Sequence, residues 1–295
     1  LLHAEDGRAA IANLARRGRG LPARVIPLEV HHVASVGLDV WLAALAHGAS
    51  QVAVLATGAE APEYRAALER QMHYADTIAQ ALGYQGAHLR VFDGADAKAL
   101  DAALWSWPAA LSVRAPATFA FTADKRTTAA LAIDHLAQHA PVPQREIALP
   151  AGAPFGTIVV NRDTCTMCLA CVGACPEGAI LDHQEAPRLS FIETKCVQCG
   201  LCAATCPERA ITLAPRLSLA PEARQPRVVN EAVIFKCTAC GKPLGTEKMV
   251  TNMLAKLAGH SMFAAPGALD RLRMCADCRV VDLMKNERGV DIRDV

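Results

Sequence analysis

Short apolar runs alternate with longer mixed segments over the first half of the chain. Residues 24–30 and 51–56 are brief runs rich in valine, isoleucine and leucine, and residues 88–92 alternate apolar with polar, so all three predict strands. Residues 38–47 and 62–82 carry helical spacing; each ends at a glycine, Gly48 or Gly83, and the second opens on Pro62. A further helix is predicted over 125–139, ahead of Pro141 and Pro143. Strands alternating with helices predict a parallel sheet with right-handed crossovers, an α/β domain. Arg16-Arg17-Gly18-Arg19-Gly20 reads as a solvated linker, the alternative being a docking patch for an acidic partner.

The pattern changes after residues 141–154, a stretch rich in proline and alanine that marks a domain boundary. Residues 1–150 are therefore expected to form the α/β domain, 151–217 a second domain and 218–295 a third. In the second, everything is written twice. Residues 158–160 and 189–191 predict strands entering two similar loops, and 180–181 and 211–213 predict strands leaving them. In the third, residues 247–257 have helical spacing with Met249, Val250, Met253, Leu254 and Leu257 on one side. Core packing is the expected use of that face, rather than an adaptable partner surface.

At 295 residues and 52% hydrophobic content, the chain has room for two or three compact domains. Its formal charge of +1 supplies no field for nucleic acid or an acidic membrane surface, so neither is expected as a partner. The best candidate for a membrane span, residues 40–56, is interrupted by His47, Gly48, Ser50 and Gln51, so a soluble protein is expected. The chain begins Leu1-Leu2-His3 without an initiator methionine, which is read as a fragment of a longer polypeptide.

Chemistry enters with the cysteines. Eight of the 12 form one cadence repeated: Cys165, Cys168, Cys171, Cys175 before Pro176, then Cys196, Cys199, Cys202, Cys206 before Pro207. Each member of the second run lies 31 residues after its counterpart, and Pro176-Glu177 and Ala179-Ile180 recur at the same offset as Pro207-Glu208 and Ala210-Ile211. Fixed-period similarity marks two copies of one unit about a pseudo-two-fold axis. Disulfides suit small secreted scaffolds, whereas here 164 cysteine-free residues come first; zinc favours paired knuckles, not triplets closed by Cys-Pro.

The spacing resembles that of bacterial two-cluster ferredoxins, which implies two 4Fe-4S clusters and electron transfer on an α+β fold. In that family the fourth cysteine of each run serves the other cluster. The resemblance therefore implies Cys165, Cys168, Cys171 and Cys206 for cluster I, and Cys196, Cys199, Cys202 and Cys175 for cluster II. Small residues between them, such as Ala170, Gly173, Ala174, Gly200, Ala203 and Ala204, let backbone approach the sulfurs. Pro176 and Pro207 are expected to precede short helices. So many thiolates favour a reducing compartment, here the cytoplasm.

The last four cysteines are two pairs, Cys237-x-x-Cys240 and Cys275-x-x-Cys278. Paired knuckles supply the four thiolates of a tetrahedral structural site, so zinc is expected in a small knuckle-like module, with a third iron-sulfur cluster as the rival. Its role is to clamp the ends of the helical insert.

In the α/β domain no G-x-G-x-x-G follows a predicted strand, and Thr57-Gly58 offers a lone glycine, so no nucleotide fingerprint is present. His31-His32 lack a cysteine or carboxylate companion and read as surface histidines rather than ligands. Gly37-Leu38-Asp39, Leu45-Ala46-His47-Gly48-Ala49 and the helix over 63–82 resemble the α/β domain of hydrogenase iron-sulfur subunits, which link hydrogenases to heterodisulfide reductases. Members of that family hold a 2Fe-2S cluster through cysteines; here the corresponding stretches are Val33-Ala34-Ser35 and Ala56-Thr57-Gly58, and no such cluster is expected. The order of parts, with Cys237-x-x-Cys240-Gly-Lys-Pro and Cys275-x-x-Cys278-Arg at the end, resembles proteobacterial 4Fe-4S binding proteins found beside formate dehydrogenase and other molybdoenzymes. That resemblance implies an electron-transfer protein with a redox partner, a dehydrogenase or hydrogenase subunit. Two alternatives are a flavin-containing iron-sulfur oxidoreductase subunit and a redox-sensing or assembly scaffold.

Overall fold

A computed structural model of the chain describes residues 1–183 and 186–285. The end of the module expected over 218–295 lies outside the described residues. The chain divides into two compact units: Leu1–Ala153 with Arg216–Ala220, and Pro154–Pro215 with the chain from Pro221 onward.

The first unit contains β1 (Leu2–His3), α1 (Glu5–Arg17), β2 (Leu28–Glu29), α2 (Leu38–Ala46), β3 (Val52–Ala56), α3 (Pro62–Ala81), β4 (Leu89–Asp93), α4 (Ala97–Ser106), α5 (Lys125–Gln138) and β5 (Glu146–Ala148). β1 to β4 form a parallel sheet in the order β2-β1-β3-β4. β3 is buried at every position, as a parallel strand covered on both faces must be, and so it reads as an unbroken apolar run. Ala53 and Leu55 point to one face, where Leu14 of α1, Leu100 and Leu104 of α4, Phe92 and Trp107 complete a core. α2 packs against α5 and α3. Its fully buried Trp41 and Leu42 fill that layer, and Ala43, Ala46 and Ala132 keep the helices close. Asp96 and Asp124 cap α4 and α5 by accepting from two backbone N–H groups each. Gly83, at φ +85°, ends the chain's turn beyond α3 where a Cβ would meet the backbone of Val142 at 3.0 Å.

Two expectations for this unit change, and the structure adds elements beyond those expected. The strand expected over 24–30 contracts to Leu28–Glu29, because Val25 N–H donates back to Pro22 in a turn and Pro27 has no donor to add to a ladder. Of the expected linker at Arg16 to Gly20, Arg16 and Arg17 are the end of α1 and the rest is its tied-down exit. Gly18 and Gly20 N–H both donate to Leu14 O, and Arg19 bonds Asp101 through its backbone N–H and its guanidinium. β1, α1 and α4 were not anticipated, although Glu5 and Asp6 in the first turn of α1 and Arg16 and Arg17 in its last complement the helix dipole.

The second unit begins with β6 (Gly156–Val160), α6 (Ala170–Gly173), β7 (Ile180–Asp182), β8 (Arg188–Phe191), α7 (Leu201–Thr205) and β9 (Ile211–Ser218). β6 enters the first cysteine loop and pairs antiparallel with β9, which leaves the second; β8 enters the second and pairs with β7, which leaves the first. The two halves thus exchange strands, and their registers are copies at an offset of 31: Val160 opposes Ile211 as Phe191 opposes Ile180. Ile158, Ile180, Leu189, Phe191 and Ile211 form the core together with Cys171 and Cys202. β10 (Arg227–Glu231) extends the β8 edge, and β11 (Ile234–Lys236), β12 (Pro243–Thr246), α8 (Glu247–Leu257), α9 (Ala268–Arg271) and α10 (Ala276–Lys285) follow.

The short helices expected after Pro176 and Pro207 lie before them instead, as α6 and α7. Between Pro176 and β7 only residues 177–179 remain, and Gly178, at φ +56°, turns them directly into the strand.

Leu55 is fully buried at the centre of the first unit's core, so Leu55→Ala is expected to destabilise that unit by about 2–5 kcal/mol through the cavity it leaves. Urea unfolding followed by the fluorescence of the chain's three tryptophans, Trp41, Trp105 and Trp107, all in this unit, measures this; a change below about 0.5 kcal/mol would show that the sheet is not packed as described.

Candidate metal centres

Each cysteine loop is curled by left-handed residues. Met167 and Leu169 in the first, and Gln198 and Gly200 in the second, all have φ between 55° and 81°. Right-handed backbone at these points would straighten the loop and point successive sulfurs apart. The left-handed residue before each short helix lets α6 present Cys171, and α7 present Cys202, into the core.

Two cavities result. One, of about 380 Å³ counting its mouth, is lined by Cys165, Cys168, Cys171 and Cys206, with Met167, Leu169, Leu189 and Ile211. The other, of about 350 Å³, is lined by Cys175, Cys196, Cys199 and Cys202, with Ile158, Ile180, Phe191 and Leu213. Each therefore gathers three cysteines of one run and the last cysteine of the other. The far-side sulfurs are held alike: Cys175 Sγ accepts from Ala179 N–H and Cys206 Sγ from Ala210 N–H, both at 3.3 Å. Burial pushes the Cys171 thiol up to about 11, helped by the neighbouring Cys165 and Cys168, and raises Cys202 for the same reason. Such thiols ionise at neutral pH only when a metal takes the proton's place. Four sulfurs around a mostly apolar void fit a sulfur-rich cluster; a hydrated ion would lose its water there without replacement.

The third set is of a different kind. Cys237, Cys240, Cys275 and Cys278 have all four sulfurs within 4.8 Å of one another. Cys240 Sγ and Cys275 Sγ are 3.7 Å apart, close to the edge of about 3.8 Å that tetrahedral Zn–S bonds of ~2.3 Å require. The first pair sits on a knuckle: Cys237 N–H donates to Lys242 O at 2.8 Å and Gly241 N–H to Cys237 O at 2.9 Å. Thr238 N–H reaches Arg273 O at 3.2 Å, tying this knuckle to the second. Cys275 N–H donates to Cys237 Sγ at 3.2 Å, the main reason the Cys237 thiol is drawn down to about 6. Cys278 is pushed the other way, to about 12, by donating first to Cys240. The donor set fits one tetrahedral ion.

The segment between these pairs reaches the first cavity. Thr246, buried, caps α8 by accepting from Met249 N–H at 3.2 Å and donates its hydroxyl to Thr166 O at 2.8 Å. From α8, Asn252 Nδ2 and Lys256 Nζ hold Glu208, a residue lining the first cavity, at 3.2 and 3.3 Å. Sequence reading missed these residues; the capping pattern of Thr246 with the helix after it was the available signal.

In the first unit the candidate histidines do not converge on a metal set. His32 Nδ1 accepts from Ala34 N–H at 3.0 Å and its ring stands edge-on to Tyr64. Beyond β3, where parallel sheets of this kind hold nucleotides, Glu60 accepts from Thr57 and Gly58 N–H at 3.0 and 3.1 Å. The chain's own carboxylate occupies the donors an anionic ligand would use.

Residues 157–207 match the family model of the 4Fe-4S dicluster domain. This part of the chain is a ferredoxin-like iron-sulfur domain. A search of curated proteins finds no match to the chain. Among the described residues no helix is long and apolar enough to cross a membrane.

Because Cys237 ionises near pH 6 before any metal arrives, metal uptake at the C-terminal set should release about one proton fewer at pH 7.5 than at pH 5. Calorimetric titration of the metal-free protein in buffers of different ionisation enthalpy reads this. Equal release at both pH values would show that Cys237 is not the acidic thiol of the set.

Proposed function

We propose that this protein passes single electrons through two 4Fe-4S clusters to or from a partner oxidoreductase. One cluster is held by Cys165, Cys168, Cys171 and Cys206, the other by Cys196, Cys199, Cys202 and Cys175. The observation that carries this reading is the pair of near-equal cavities, each completed by the last cysteine of the opposite run. When bound, each cluster supplies a one-electron couple within a span of roughly −700 to +450 mV. The chain's part is to supply thiolates, exclude water with Leu189, Phe191, Ile158 and Ile211, and aim backbone N–H groups at the sulfurs.

In this reading residues 151–217 are the electron-transfer domain, and 218–295 form a module stapled by zinc at Cys237, Cys240, Cys275 and Cys278. The near-tetrahedral sulfur spacing supports zinc over a third cluster, whose four sulfurs must span a larger cube. Residues 1–150 serve as a docking or structural module. The order of parts supports a place beside a formate dehydrogenase-like molybdoenzyme or a hydrogenase, in the cytoplasm, with electron transfer rather than catalysis as the chain's own task.

Anaerobically purified protein should contain about eight iron, about eight sulfide and about one zinc per chain. Iron near four, or near twelve without zinc, would overturn the assignment. Cys175→Ala should abolish the low-temperature EPR signal of the cluster at Cys196, Cys199 and Cys202 and leave the other; loss of the other alone would refute the crossed wiring.

A further inference from the structure

The two cavities are related by the offset of 31; their loop positions differ at Thr166 and Val197, Met167 and Gln198, and Leu169 and Gly200, and of these Gln198 donates a side-chain hydrogen bond to a ligand sulfur. The N–H groups of Ala179 and Ala210 make matched contacts to Cys175 and Cys206, so their effects cancel between the halves. Gln198 has no such twin. Its Nε2 donates to Cys196 Sγ at 3.3 Å and to Thr157 O at 3.0 Å. The equivalent position in the first run is Met167, buried and without a hydrogen to donate. Both positions share one backbone conformation, φ +55° for Gln198 and +59° for Met167.

The surroundings are shaped to hold this amide. A Cβ on Gly156 would come within 2.4 Å of the Gln198 side-chain carbonyl carbon and 2.6 Å of the backbone oxygen of Ala214, so glycine makes room for both. Arg227 donates to Thr157 Oγ1 and lies 4.0 Å from the buried carboxylate of Glu193, which fixes the residue that Gln198 bonds. The amide oxygen of Gln198 is buried without a partner. An unpaired buried oxygen opposes folding, so stability alone does not account for glutamine here. The carboxylates that line the cavities occupy equivalent positions, Glu208 in the first and Glu177 in the second, but Asn252 and Lys256 hold Glu208, so the exchanges at 167 and 198 are what isolate the amide's share.

We propose that Gln198 is a positioning residue that raises the reduction potential of the cluster at Cys196, Cys199, Cys202 and Cys175 above that of its twin. The inference rests on the reading that each cavity holds a 4Fe-4S cluster. Charge added on reduction spreads onto the cysteine sulfurs, and an N–H donor aimed at one of them stabilises the reduced form. One electron supplied by the redox partner at the Cys165 side therefore comes to rest at the Cys196 side. No bond is formed or broken, and one couple is oxidised as the other is reduced.

The test is a potentiometric titration of the loaded full chain, followed by EPR, on the wild type, Gln198→Met and Met167→Gln. Each variant installs a side chain the chain already carries at the twin position, and either one alone decides the question if the other fails to load. The wild type should show two separate one-electron steps. Gln198→Met should lower only the upper step, changing the oxidised-to-reduced ratio at fixed potential about tenfold, or about 59 mV for one electron. Met167→Gln should raise only the lower step. Coincident steps in the wild type, an unmoved upper step in Gln198→Met, or an unmoved lower step in Met167→Gln overturns the role of Gln198 while about eight iron per chain is retained. An iron content near four in the wild type instead overturns the two-cluster reading beneath it.

Discussion

The exchange of parts between the two halves of the cysteine-rich domain is the constraint on which its structure depends. β6 enters one loop but pairs with the strand leaving the other, and β8 does the same in mirror order. The last cysteine of each run follows its strand across, which is why each cavity draws one wall from each half. Neither half can close its own cavity or bury its own strand. A domain this small has a modest apolar core, here Ile158, Leu189, Phe191 and a few companions, and sulfur donors that bind across the halves add to what that core provides.

The C-terminal cysteine set applies the same principle at a different scale. Its four sulfurs draw together two knuckles separated by a helical insert, and that insert is the part of the chain that grips Thr166 and Glu208 beside the first cavity. A metal at the knuckles would thus restrain α8 at a distance through chain connectivity, while the knuckle sulfurs themselves lie outside the two cavities. The opposed shifts of Cys237 and Cys278 have a local cause. One sulfur accepts a backbone N–H, and the other thiol donates to its neighbours.

The first unit contributes a conventional parallel sheet whose ligand-binding edge is satisfied from within. Glu60 takes up the N–H groups of Thr57 and Gly58, and His32 is engaged in capping its own short turn. Both contacts are local, made within the turns that follow β2 and β3.

Periodicity alone determined much of this. The 31-residue offset made the doubled unit, its four strands and the equivalence of the two runs readable, because identical side-chain spacing imposes identical local geometry. Proline and glycine bounded α2, α3 and α5 within a residue or so for the same reason: their backbone restrictions are local. β1 and β2, two residues each, carry too short a pattern to read; β1 exists because β3 offers an edge and α1 packs on it, and β2 adds to β1 as an exposed outer strand. The placement of α6 and α7 ahead of Cys-Pro followed from how few residues remain before the next strand. Nothing in the spacing singles out Gln198 between two ligands; only folding brings its amide to Cys196 and places Gly156 beside it. What depends on spacing is written in the chain, and what depends on which distant groups share a cavity is decided by the packing.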